Sequence, residues 1–80
     1  MLLKAKFTDV KLHVEPDPGW ETLRMSARAP CGSPLLLLDK IRGDGGGWWL
    51  KVLWEGRVWW VIPWDVVPMN GEKLVLDEVE

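Results

Sequence analysis

The chain has one cysteine, Cys31, one histidine, His13, and no tyrosine among its 80 residues. A single thiol excludes an internal disulfide and leaves a zinc site short of thiolates. It also fits a reducing compartment, so a cytoplasmic location is expected. No run of about 18 apolar residues is present, so no membrane-spanning segment is expected. The opening MLLKAKFTDV has two leucines before Lys4 and lacks the apolar stretch of a secretory signal. Nor does one sign of charge dominate: 10 basic residues stand against 12 acidic, a net of −2. The basic residues are scattered from Lys4 to Lys73. Phosphate backbones reward concentrated positive charge, and on that ground no nucleic-acid partner is expected.

What the chain has instead is tryptophan. Six of its seven tryptophans fall within residues 45–64, GGGWWLKVLWEGRVWWVIPW. A chain of this size buries only about 60–65% of its unfolded surface. Large aromatic side chains are one way to fill so small a core.

The rest of the sequence reads as short strands separated by turns. Leu3, Ala5 and Phe7 alternate with polar residues, and Val10, Leu12 and Val14 continue on the other parity. That change of phase near Asp9 predicts a bulge or bend. EPDPGW, residues 15–20, is a loop. Thr22–Arg28 reads as a second strand with Leu23, Met25 and Ala27 on one face, ended by the breaker APCGSP. Leu35–Ile41 is a third strand by length and flanking residues. The glycines of residues 43–47 form a connection without the spacing of a phosphate-binding loop.

Two strands, Trp48–Trp54 and Arg57–Ile62, flank Glu55-Gly56, the pattern of a tight hairpin. Pro63-Trp64-Asp65 predicts a single helical turn, Val66-Val67 a strand fragment, and Lys73–Val79 a final edge strand. Alternation places Leu50, Val52 and Trp54 inward and leaves Trp49 partly exposed, while Trp48, at the mouth of the glycine loop, is open to either side. In the partner strand both faces are largely apolar. Trp60 is assigned inward and Trp59 to the surface, beside Trp49 as a cross-strand pair. An exposed pair of that kind is either sheet stabilisation or a contact platform.

The order of these features resembles SH3-like barrels, and more closely the bacterial SH3 domains. The resemblance covers roughly residues 23–67. It rests on the strand Trp49–Trp54, the turn Glu55-Gly56-Arg57, Trp60-Val61, the helical turn Ile62–Asp65 and the last strand Val66-Val67. Upstream, Met25–Arg28 and Pro30 follow the pattern loosely. Trp48-Trp49 and Ile62-Pro63 also match eukaryotic SH3 domains, whose proline-peptide surface would fall on Trp48 and Pro63. The absence of tyrosine removes the tyrosine-lined groove of that family. The fold class the resemblance implies is all-β: a small SH3-like barrel of five to seven short antiparallel strands. Residues 1–80 would form one domain with N- and C-terminal additions.

Catalysis finds little support. His13 and Cys31 are the only candidates for a nucleophile and its base, 18 positions apart with no third group indicated. The acids Glu15, Asp17, Glu21, Asp44, Glu55 and Asp65 lie at turns, which attract acids for reasons of their own. The expected function is therefore a non-catalytic protein–protein interaction module without metal or cofactor, able to self-associate as a homodimer. The alternatives are a carbohydrate or cell-wall binding module, in which tryptophans stack on sugar faces, and a small nucleic-acid adaptor. The candidate binding residues are Trp48, Trp49, Glu55, Arg57, Trp59, Pro63 and Trp64.

Overall fold

A computed structural model describes residues 1–16, 19, 25–43 and 45–71. Within them the chain forms seven short antiparallel strands and one 3-10 turn. The strands are β1 (Leu2–Ala5), β2 (Asp9–Leu12), β3 (Ala27–Pro30), β4 (Leu35–Arg42), β5 (Trp48–Trp54), β6 (Arg57–Val61) and β7 (Val66–Pro68). The 3-10 turn, Pro63–Asp65, joins β6 to β7. Five strands form one sheet in the order β6-β5-β4-β1-β7, and β2 and β3 pair as a separate hairpin.

Local sequence explains most of these elements. The change of phase near Asp9 is a bend over residues 6–8 that separates β1 from β2. It lets Leu3 and Ala5 on one side of the bend, and Val10 and Leu12 on the other, all reach the core. Phe7 sits in the bend and is exposed, so the inward face of β1 ends at Ala5. β3 lies C-terminal to its expected place. Met25 is exposed at a turn, while Ala29 and Pro30 pair with Val10 and Asp9. The expected strand at 73–79 lies outside the described residues.

The leucine run at the start of β4 alternates as a strand requires: Leu35 is buried, Leu36 exposed, Leu37 half-buried. A register shift between Leu37 and Asp39 leaves the exposed Leu38 without a partner on β5. β1, expected as part of an addition, is an interior strand between β4 and β7.

The expected SH3-like barrel is not formed. β6 and β7 are opposite edges of an open sheet. The β2–β3 hairpin joins that sheet through a single bridge, in which His13 and Trp60 exchange backbone hydrogen bonds of 2.8 and 2.7 Å. The outer edge of β7 explains why closure stops there. Pro68 has no N–H to donate, and the Val66 N–H is already given to the Pro63 carbonyl. With no donor on that edge, a further strand has little to pair with.

Among the described residues the buried core is aliphatic apart from one tryptophan. Leu3, Leu12, Leu35, Leu50, Val10, Val52 and Val61 are fully buried, and Trp59 packs among them at 6% exposure. This reverses the expected faces of β6. Val52 pairs with Trp59 and Leu50 with Val61, so Trp59 and Val61 point inward while Val58 and the half-buried Trp60 point outward. The expected Trp49–Trp59 pair is absent, because Trp49 pairs instead with Ile41 on β4. We expect Trp59→Ala to cost about 3–5 kcal/mol of stability, the usual range for emptying a buried aromatic site. Trp64→Ala, on the exposed 3-10 turn, should stay within about 0.5 kcal/mol of the parent. Urea denaturation midpoints of the two variants check both values.

Candidate functional site

The residues singled out in the sequence do not gather on one surface. Trp48 is half-buried, with the Arg42 guanidinium 4.9 Å from its ring centroid. Trp59 lies in the core beneath Arg57, whose guanidinium is 4.8 Å from the ring, and its indole Nε1 is buried without a hydrogen-bond partner. Pro63 is buried and opens the 3-10 turn, whereas Trp64 beside it is 76% exposed. Glu55 and Arg57 are exposed at the hairpin end, where Glu55 has φ +51° and Gly56 has φ +77°. These two left-handed residues suit the twist of a two-residue hairpin.

Trp49 is buried at 8% exposure, against expectation, on the face of β5 opposite the main core. The His13 ring packs against it at a right angle, with ring centroids 5.3 Å apart. His13 itself is 5% exposed, and its Nδ1 has no hydrogen-bond partner. The bridge that ties the β2–β3 hairpin to β6 thus brings the histidine onto Trp49. Burial holds the imidazole pKa below its ordinary 6.5; Lys11 pushes it in the same direction, and Asp65 opposes.

No catalytic arrangement emerges from these residues. Cys31 is exposed and His13 is buried. Asp9 pairs with Arg28 at 3.2 Å, and Asp39 accepts the Lys40 backbone N–H at 2.8 Å. Among the described residues, no group of three or more histidine, cysteine or acidic side chains could hold a metal ion. None of their helices is long and apolar enough to cross a membrane.

A different surface does come together. Leu2 pairs with Leu36, Leu36 with Leu53, and Leu53 with Val58. On the far side, Met69 donates its N–H to the Leu2 carbonyl at 2.9 Å, and the two residues line an open, shallow depression with Asn70. Residues paired across strands share a face. Leu2, Leu36, Leu53 and Val58 therefore form one apolar row across β1, β4, β5 and β6, on the side away from the core, with Met69 beside Leu2 just past the end of β7. Four of the five are 38–47% exposed and Leu53 is half-buried. Lys4 follows Leu2 on the same face, and Lys51 precedes Leu53 on it. Sequence reading missed this row. Each residue is an unremarkable aliphatic, and only the pairing of distant strands aligns them.

His13 generates a pH prediction. A folded-state pKa below 6.5 means that the unfolded chain binds the proton more tightly. Stability should then be fully present above about pH 6.5 and fall as the pH drops through that value toward the folded pKa. Thermal melts between pH 7.5 and 5.5 should show that decline in the parent chain. His13→Phe, which keeps an aromatic edge for Trp49, should flatten it; an unchanged slope would show that another group is responsible.

No protein-family model matches the chain, and neither a curated protein nor a solved structure matches it.

Proposed function

We propose that the domain is a non-catalytic protein–protein interaction module whose contact surface is the apolar row on the outer face of the five-stranded sheet. One observation carries the reading: four aliphatic side chains align across β1, β4, β5 and β6, Met69 adjoins them just past β7, and four of these five residues are exposed. Isolated exposed apolar residues are ordinary, but a contiguous set marks a surface meant to be covered. The opposite face of the same sheet supplies the core.

The alternatives draw on features that are less developed. Stacking on a sugar needs exposed aromatic faces, and among the described tryptophans Trp64 alone is largely exposed. A nucleic-acid adaptor needs concentrated positive charge, and the row is flanked by Lys4 and Lys51, the latter paired in register with the acid Asp39.

The test is capture from a lysate of the source cell on the immobilised full chain, with Leu36→Glu and Trp64→Ala alongside and thermal melts confirming that both variants fold. A protein partner, a second copy included, should be retained by the parent and by Trp64→Ala. Its recovery should drop roughly tenfold or more on Leu36→Glu, because a carboxylate at the centre of an apolar contact is left without a partner. Full retention by Leu36→Glu would remove the row as the contact surface. Recovery of no specific protein, or displacement by soluble oligosaccharide with loss on Trp64→Ala, would overturn the reading.

A further inference from the structure

Among the described residues the two most exposed large apolar side chains are Trp64, at 76%, and Phe7, at 65%. Neither belongs to the apolar row. We propose that they form a second contact site, for the surface of an anionic phospholipid bilayer, with Phe7 and Trp64 entering the interfacial layer and Lys6 held at the headgroups.

One hydrogen bond brings the two residues together. The Lys6 N–H donates to the Asp65 carbonyl at 2.8 Å, one step beyond the paired Ala5 and Val66. Phe7 follows Lys6 in the bend between β1 and β2, and Trp64 precedes Asp65 in the 3-10 turn. With 3.8 Å between consecutive Cα atoms, the Cα atoms of Phe7 and Trp64 lie within about 14 Å of each other. Both belong to turns, past the ends of β1 and β6, rather than to the face of the sheet.

Charge and the placement of Lys6 fit a lipid surface. No ion pair among the described residues engages Lys4, Lys6 or Lys11, whereas Asp9 is paired with Arg28 at 3.2 Å and Asp65 lies within electrostatic reach of His13. The uncompensated charge beside the two aromatics is therefore positive, the complement of anionic headgroups. The Lys6 ammonium lies over the Phe7 ring, 5.6 Å from its centroid. One face of that ring is thus already occupied, which does not suit stacking on a sugar. It suits a membrane, where the aliphatic stem of a lysine follows apolar groups inward and its ammonium stays at the phosphates. Trp64 adds an indole, whose apolar body and single N–H donor favour the interface between water and hydrocarbon.

Size points the same way and sets the strength. The exposed parts of two aromatic side chains amount to roughly 300 Å². A standard protein interface takes roughly 800 Å² from each partner. A bilayer has no such minimum, because fluid lipid closes around whatever enters it. Two inserted side chains should bind weakly and reversibly, as a single acyl chain does, with half-saturation at about 0.1 mM accessible lipid.

Co-sedimentation of the full chain with lipid vesicles tests the site. One set of vesicles is phosphatidylcholine alone, and the other contains roughly 30% phosphatidylserine as the anionic lipid. The parent should bind the mixed vesicles, and phosphatidylcholine more weakly. Phe7→Ala and Trp64→Ala should each weaken binding to the mixed vesicles by roughly tenfold, through loss of inserted apolar area. Lys6→Ala should weaken it by roughly fivefold on the mixed vesicles and far less on phosphatidylcholine. Met25→Ala removes a side chain of similar exposure, 62%, from the turn before β3 and should bind as the parent does. Thermal melts confirm that each variant folds. No binding to the mixed vesicles at about 5 mM lipid, full binding by Phe7→Ala and Trp64→Ala, or an equal loss on Met25→Ala would each overturn the proposal. Binding abolished by soluble oligosaccharide would overturn it as well and make Trp64 a sugar contact. Failure on vesicles leaves the apolar row standing, since Leu36→Glu tests that face separately.

Discussion

Two residues separate Trp54 from Arg57, and that spacing decides which side of the molecule each neighbouring side chain occupies. Glu55 and Gly56 both hold positive φ, so the strands pair directly on either side of the turn. Trp54 must then face Arg57, Val52 must face Trp59, and Leu50 must face Val61. The same register sends Leu53 and Val58 to the other side. A slip of one residue in β6 would bring Val58 and Trp60 into the core and send Trp59 out. Through β5 the assignment passes to β4, and through β4 to β1, since Leu53 faces Leu36 and Leu36 faces Leu2. The core and the outer apolar row are thus two consequences of one hairpin.

The second constraint is the attachment of the β2–β3 hairpin. His13 makes both backbone bonds of the bridge to Trp60 and packs its ring at a right angle against Trp49. A buried imidazole with an unpartnered Nδ1 is tolerable while neutral and costly once charged. Protonation of that side chain therefore weakens one contact between the two sheets, which also share the core built by Val10, Leu12 and Ala29. The outer row carries no titratable residue, so this dependence concerns how the hairpin is held rather than the contact surface.

Parts of this organisation are legible in the sequence. The all-β class, the Glu55-Gly56 hairpin, the turn at Pro63–Asp65 and the inward set Leu50 and Val52 follow from alternation and turn chemistry. The face of Trp59 was also within reach. Alternation along RVWWV cannot choose a side, because both of its faces are apolar, but a two-residue turn with Trp54 inward already requires Trp59 inward. Trp49 is different. It packs against His13, 36 positions away, and no local pattern signals that contact. The SH3-like order of elements stopped short of a closed barrel because closure depends on hydrogen-bond donors at an edge, where Pro68 offers none. The apolar row was the least legible feature, since it needs the pairings of β1, β4, β5 and β6 together. The clustered tryptophans drew attention to a surface that two of them, Trp49 and Trp59, do not reach.

Solvent access to the individual indoles tests the central claim, that the hairpin register turns Trp59 into the core and leaves the outer face to aliphatic residues. A soluble paramagnetic agent would be added to the labelled full chain in dilute solution, and the relaxation of each indole N–H measured. The Trp64 signal should be the most strongly relaxed of the described tryptophans, and those of Trp59 and Trp49 the least. A Trp59 indole relaxed as strongly as Trp64, with Trp60 protected, would place β6 in the opposite register and contradict both the core and the row.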